Sequence, residues 1–191
     1  MCRILFMNIN NKKHSLVLER MTRNAYGKNG KLLKIQTQIS RMKKKPISFD
    51  HGVVNIGESL KFIGIKTNML LFSKRDIVHI NKHLNDKEID YVLSRIISNT
   101  VLGFDYIDKN NWIMKKNVIV YIDNKLYLVA IAKNKNRDIV INEIKTIFLK
   151  GKKGDFDLDK YLLKVKENSN KIYKNKKSND FLSSFSIQQR L

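Results

Sequence analysis

The chain has 191 residues, 42% of them hydrophobic, with 38 Lys and Arg against 17 Asp and Glu, a formal net charge of +21. That length supports one well-buried core, and a single cysteine, Cys2, excludes both a disulfide framework and a CxxC metal knuckle. No apolar run approaches the roughly 20 residues needed to cross a bilayer, and the start MCRILFMNINNKK is too short an apolar run, with no small-residue cleavage site after it, to read as a secretion signal.

Taken in chain order, the elements begin with a basic segment. The first fifty residues carry twelve Lys and Arg but only Glu19 and Asp50 as acids. Residues 1–46 read as a basic N-terminal extension in which CRILFMNI and LLKIQTQI could be strands, the second following a turn signal, GKNGK. RMKKKP, with Pro46 the only proline, reads as a hinge, and Lys43, Lys44 and Lys45 are candidate phosphate contacts. Then VVNIGESLKFIGIKTNMLLFS offers short apolar pieces broken by Gly57 and Gly64, suited to small strands or turns.

The signals sharpen from residue 73. Ser73-Lys74-Arg75-Asp76 fits an S-x-x-D capping box and predicts a helix over about 74–83. Ile77, Ile80 and Leu84 share its apolar face, with His79 and His83 on an adjoining stripe. Asn85 or Asp86 caps a second helix carrying Ile89, Val92, Leu93, Ile96 and Ile97 at i, i+3, i+4, i+7 and i+8. Strands follow at 101–107, 117–123, 126–132 and 139–149, with a tight connection at Asn124-Lys125, then a helix over about 158–174 and a loose basic tail, 176–191. Helix, helix, then an antiparallel meander imply an α+β domain over 47–175: two N-terminal helices packed on a four-stranded antiparallel sheet, with a C-terminal helix.

So basic a chain favours a polyanionic partner. An AT-rich coding bias would also enrich Lys, Asn and Ile, but it leaves the shortage of carboxylates unexplained. From Ile63 onward the residues IGIKTNMLLFSKRDIVHINKH, IDYVLSRIISNTVLGF, NVIVYIDNKLYLVAIA and IVINEIKTIFL resemble the phage-associated branch of the Barnase–EndoU–colicin–RelE-like nucleases, over roughly residues 47–165. Two departures stand out: Ser98-Asn99-Thr100-Val101 lacks the proline usual after the second helix, and Lys145-Thr146-Ile147-Phe148 lacks a histidine or serine-rich ending.

The resemblance implies a cytoplasmic, metal-independent endoribonuclease, needing no cofactor, that acts on RNA as a toxin held in check by an acidic antitoxin or immunity protein. In such an enzyme the 2′-hydroxyl attacks the adjacent phosphorus while a base and an acid move protons and cations stabilise the developing charge. Histidine suits both proton roles, its unperturbed pKa being about 6.5. The candidates are His79 and His83, with Lys82, and Lys145 and Thr146 opposite on the last strand. Lys74, Arg75, Trp112, Lys115 and Lys116 are candidate nucleic-acid contacts. Lys145 and Thr146 are neighbours on a strand, so alternation would turn one of them to solvent. HINKH keeps the i, i+4 histidine spacing of HExxH, but Ile80 replaces the glutamate and Lys82 would repel a cation, so no metal site is expected. Two other classes stay open: a non-catalytic RNA- or DNA-binding protein, and a basic phage structural or assembly protein.

Overall fold

The computed structural model describes residues 12–44, 51–108, 113–136, 139–152 and 171–175, together with Lys160, Tyr161, Leu163 and Glu167. Among these residues it is an α+β fold with four helices and a seven-stranded mixed sheet. The helices are α1 (Lys12–Thr22), α2 (Ile35–Lys44), α3 (Lys74–Ile80) and α4 (Asp86–Asn99). The strands are β1 (His51–Asn55), β2 (Met69–Ser73), β3 (Thr100–Asp108), β4 (Ile113–Ile122), β5 (Lys125–Asn136), β6 (Ile139–Lys152) and β7 (Ile172–Lys174).

Strand order is β1-β2-β6-β5-β4-β3-β7. The antiparallel meander β3–β6 matches the four expected strands, but the sheet is larger than four. The β1–β2 hairpin joins β6 through a parallel pairing at Leu71 and Glu143, and β7 closes the far edge on β3. These additions lie far apart in sequence, so no local pattern announces them. The β4–β5 turn falls at Asp123-Asn124, both with positive φ (47° and 61°), one residue before the expected position. Two successive left-handed residues make the two-residue hairpin that matches strand twist.

The N-terminal segment is helical and belongs to the core. LLKIQTQI is a helix start, not a strand, because Ile35, Ile39 and Met42 continue at i, i+4 and i+7 into the main cluster. Its Gln38 is buried, accepting from Val53 N at 2.7 Å and donating to Val53 O at 3.1 Å. A side-chain amide thus occupies the open edge of β1, the kind of edge that otherwise invites another strand. Over the described residues 12–44 the structure therefore corrects the expectation of an appended strand or hairpin: two helices stand there, ahead of the two that were expected. CRILFMNI, the hinge proline Pro46 and the tail 176–191 lie outside the described residues. So does most of the helix expected over 158–174, whose last three positions are β7.

Both faces of the sheet are covered. On the first, α2, α3 and α4 pack Ile39, Ile77, Ile80, Leu93 and Ile96 over Phe72, Val118, Val129 and Ile147. On the second, α1 covers Val53, Leu71 and Ile141 with Leu18 and Met21, while Phe104, Ile119 and Leu128 form a separate cluster with Tyr161. Between these two second-face clusters lies a polar strip, where the candidate site begins. No described helix is long and apolar enough to cross a membrane.

Candidate active site

The capping box read from the sequence is present. Asp76 N donates to Ser73 Oγ (3.2 Å), and Ser73 N donates to Asp76 Oδ2 (3.3 Å). This starts α3 directly from the end of β2 and fixes the rotation of the helix. Ile77 and Ile80 are buried, so Asp76, His79 and His83 fall on the flank beside them. After Ile80 the chain continues in turns, bonded His83 N to Ile80 O at 2.9 Å, rather than as helix to His83.

Because β2 and β6 run parallel in register at Leu71 and Glu143, the later part of β6 runs past the end of β2 and alongside α3. Two contacts tie them. Lys145 Nζ lies 3.4 Å from Asp76 Oδ2, and the His83 ring stands 5.3 Å from the Phe148 ring. His79 lies between the ties, its ring 6.2 Å from that of His83. Both imidazoles are exposed. The result is a trough with an ammonium at one end, an aromatic ring at the other and two imidazoles along its wall.

Behind the ammonium is a polar network that the sequence did not reveal. Lys145 Nζ donates to Glu143 Oε2 at 2.5 Å, Asn134 Nδ2 donates to the same oxygen at 3.0 Å, and His51 Nε2 lies 3.2 Å from Glu143 Oε1. Glu143 is 2% exposed. Burial pushes its carboxyl upward, but the hydrogen bonds from His51, Lys145 and Asn134 outweigh burial and hold it well below the usual carboxylate range. Burial raises the Asp76 carboxyl, with the Glu143 charge adding to it, and this exceeds what Ser73 and Lys145 take off. The two carboxyls are thus driven apart, a pattern typical of sites that handle protons. Glu143 keeps the charge and Asp76 is the readier proton acceptor.

Lys145 and Thr146 do not alternate. Register pairs Thr146 with Ala130 and Glu143 with Ala132, with an extra β6 residue between Ala130 and Ile131. Ala130 and Ala132 are two apart and share a face, so Thr146 and Glu143 share it too, and Lys145 reaches Glu143 from the bulge between them. A bulge re-aims a side chain in this way, and nothing in NEIKTIFL signals it.

The other sequence candidates scatter. Arg75 and Lys82 are exposed on or just beyond α3. Lys74 Nζ donates to Lys43 O at 3.4 Å, and Lys43 pairs with Asp86 at 2.6 Å, buckling α2 onto the start of α4. Lys44 is exposed at the end of α2. Lys116 pairs with Asp105 at 2.7 Å and lies over the Tyr173 ring on the opposite sheet face. Lys115 sits across Ala132 from Glu143, on the site's face. Trp112 and Lys45 lie outside the described residues. Sequence reasoning missed His51, Glu143 and Phe148. A glutamate two residues from a lysine inside an apolar strand was the available signal, since opposite charges at i and i+2 share a face.

Among the described residues, no group of three or more His, Cys, Asp or Glu is arranged to hold a metal ion. Lys145 itself supplies positive charge between the Glu143 and Asp76 carboxylates. An apolar cleft between α2, β1 and α4, lined by Leu33, Val53 and Leu93 among others, lies apart from these groups. Comparison with family models, with curated proteins and with solved structures finds no match to this chain.

Proposed function

We propose that this chain is a metal-independent endoribonuclease whose active site is the α3–β6 trough. The observation that carries the reading is the double tie of one helix flank to one strand, Lys145 to Asp76 and His83 to Phe148, with His79 between. A phosphodiester lying along that wall meets a cation, two proton-transfer groups and an aromatic ring. The net charge of +21 draws RNA toward it.

In this reading one of His79 and His83 takes the proton of the 2′-hydroxyl as the O2′–P bond forms. The other protonates O5′ as the P–O5′ bond breaks. Lys145 stabilises the negative charge that grows on the phosphate oxygens, and Glu143 with Asp76 holds the ammonium in place. Phe148 offers a stacking surface for a base. Products are a 2′,3′-cyclic phosphate and a 5′-hydroxyl, and the need for the 2′-hydroxyl restricts the reaction to RNA. Arg75 and Lys82 extend the positive surface along the strand being cut. As a toxin in the cytoplasm, so basic an enzyme would be restrained by an acidic inhibitor.

The test is incubation of the purified chain with total RNA and with single-stranded DNA in EDTA, beside His79→Ala, His83→Ala and Lys145→Met. RNA cut by the parent and spared by the variants supports the reading. Cleavage that appears only with added divalent metal moves the chemistry to the Asp76–Glu143 carboxylates. Salt-sensitive RNA binding with no cleavage under any condition leaves a binding protein.

A further inference from the structure

β6 carries two bulges, and each inserts a lysine. Lys145 is the extra residue between the partners of Ala130 and Ile131, and Lys150 the extra residue between those of Leu126 and Tyr127. Phe148, opposite Leu128, stands between them on the second face of the sheet. Bulges gather beside active sites because they re-aim a side chain. The two lysines differ in what they meet. Lys145 is tied to Glu143 and Asp76. Lys150 stands over two rings instead, its Nζ 5.8 Å from the centre of Phe148 and 5.0 Å from that of Tyr161. Among the described residues no carboxylate pairs with it. Burial pulls its ammonium below the ordinary lysine value, as expected of a charge taken partly out of water. Ring faces attract that charge, yet its three N–H donors still call for an acceptor. The rings are held in place from either side. Phe148 meets the His83 ring at 5.3 Å, and Tyr161 stands edge-on to buried Phe104 at 6.3 Å.

We infer that Lys150, bracketed by Phe148 and Tyr161, is a second phosphate subsite that holds the RNA strand on the far side of Phe148 from Lys145. The inference rests on the ribonuclease reading, which lays the strand along β6. Lys145 is anchored at the two carboxylates and Lys150 at the two rings, so they meet different phosphates of one strand. An acidic protein segment also brings anions. Ring faces beside the cation suit a nucleotide better, because its base stacks while its phosphate pairs.

The experiment is titration of a fluorescent 2′-O-methyl oligoribonucleotide, which has no 2′-hydroxyl to attack, by anisotropy in EDTA at several salt concentrations. It uses the full chain, Lys150→Met, Lys150→Gln as a second neutral variant should the first fail to fold, and Lys28→Met at an exposed lysine between α1 and α2. Polyglutamate serves as a second ligand. Losing one single-strand phosphate contact flattens the slope of log K against log salt by about 0.7, which is about a fivefold loss of affinity at about 0.1 M salt. Both neutral variants at Lys150 should show that change, and Lys28→Met should lose less. No binding by the parent chain, a slope unchanged in the neutral variants, or an equal loss in Lys28→Met overturns the subsite. Polyglutamate binding that depends on Lys150 while oligonucleotide binding does not also overturns it, and assigns the surface to an acidic protein. Because this oligomer cannot be cut, a slope that depends on Lys150 in a chain that never cleaves RNA defeats the ribonuclease reading and leaves the subsite standing. RNA cleavage by a chain whose slope ignores Lys150 does the reverse.

Discussion

Lys145 Nζ stands 3.4 Å from Asp76 Oδ2, joining the bulge of β6 to the first turn of α3 across 69 residues of chain. The same ammonium donates to buried Glu143. Lys145→Met keeps much of the aliphatic stem and removes the charge, leaving two partly or fully buried carboxylates facing each other. Hydrogen bonds to charged groups contribute about 1.5–3 kcal/mol, and the ammonium is part-exposed, so a loss of about 1–2 kcal/mol is expected by urea unfolding. Adding Glu143→Gln should recover part of it, since one of the repelling charges is then gone. Recovery in the double variant separates this pairing from simple loss of packing.

His79 and His83 bring little to stability and much to chemistry in this reading. Both are exposed, so His79→Ala should change unfolding free energy by no more than about 0.5 kcal/mol. Removing a general acid or base should cost about 10²- to 10⁴-fold in cleavage rate. Rates and unfolding curves on one preparation check both halves. A rate loss that tracks a stability loss would assign the histidines to the fold.

Stability should fall on acidification, with Glu143 as a main cause. Its folded carboxyl is held below the ordinary value, so the unfolded chain takes up a proton near pH 4.3 that the native chain refuses. The stability it provides is therefore full above that pH and lost progressively below it. Asp76 is shifted the other way. Its native carboxyl gains a proton more readily than in the unfolded chain, so it opposes the fall. Unfolding measured from pH 7 to pH 3 should show a flatter decline in Glu143→Gln and a steeper one in Asp76→Asn.

Residues 35–44 are core, and the measurement that shows it is Ile39→Ala. Ile39 is fully buried in the main cluster, so the loss should be about 2–5 kcal/mol. Against a typical domain stability of about 5–15 kcal/mol, that is a large share. An appended arm would tolerate the change without effect.

Where the controlling interactions are local, the sequence was legible. Ser73 with Asp76 signalled one helix start through a capping box, and Asn85 or Asp86 marked the second; both helices form, Asn85 being the cap and Glu88 completing a second box. The apolar runs of β3–β6 were each recognisable as strands. Long-range pairings were not. The β2–β6 contact joins Leu71 to Glu143, and the His51–Glu143 contact spans 92 residues. The α2 segment was ambiguous over Leu33, Ile35, Thr37 and Ile39, which satisfy period 2 as well as a helix does. Met42 and the packing against α4 decide it. For the site, the histidine flank was readable from helical spacing, but the bulge that turns Lys145 and Thr146 to one face depends on register with β5.

The most direct measurement is cleavage in EDTA of a defined oligoribonucleotide, beside the same oligomer with 2′-deoxy substitution at the cut position, with end groups read by mass spectrometry. The expected result is a 2′,3′-cyclic phosphate and a 5′-hydroxyl from the all-ribo strand, no cut at the substituted position, and neither product with His79→Ala. Cleavage that ignores the 2′-deoxy substitution, or that yields 5′-phosphate ends only when a divalent metal is added, would contradict metal-free attack by the 2′-hydroxyl in the α3–β6 trough.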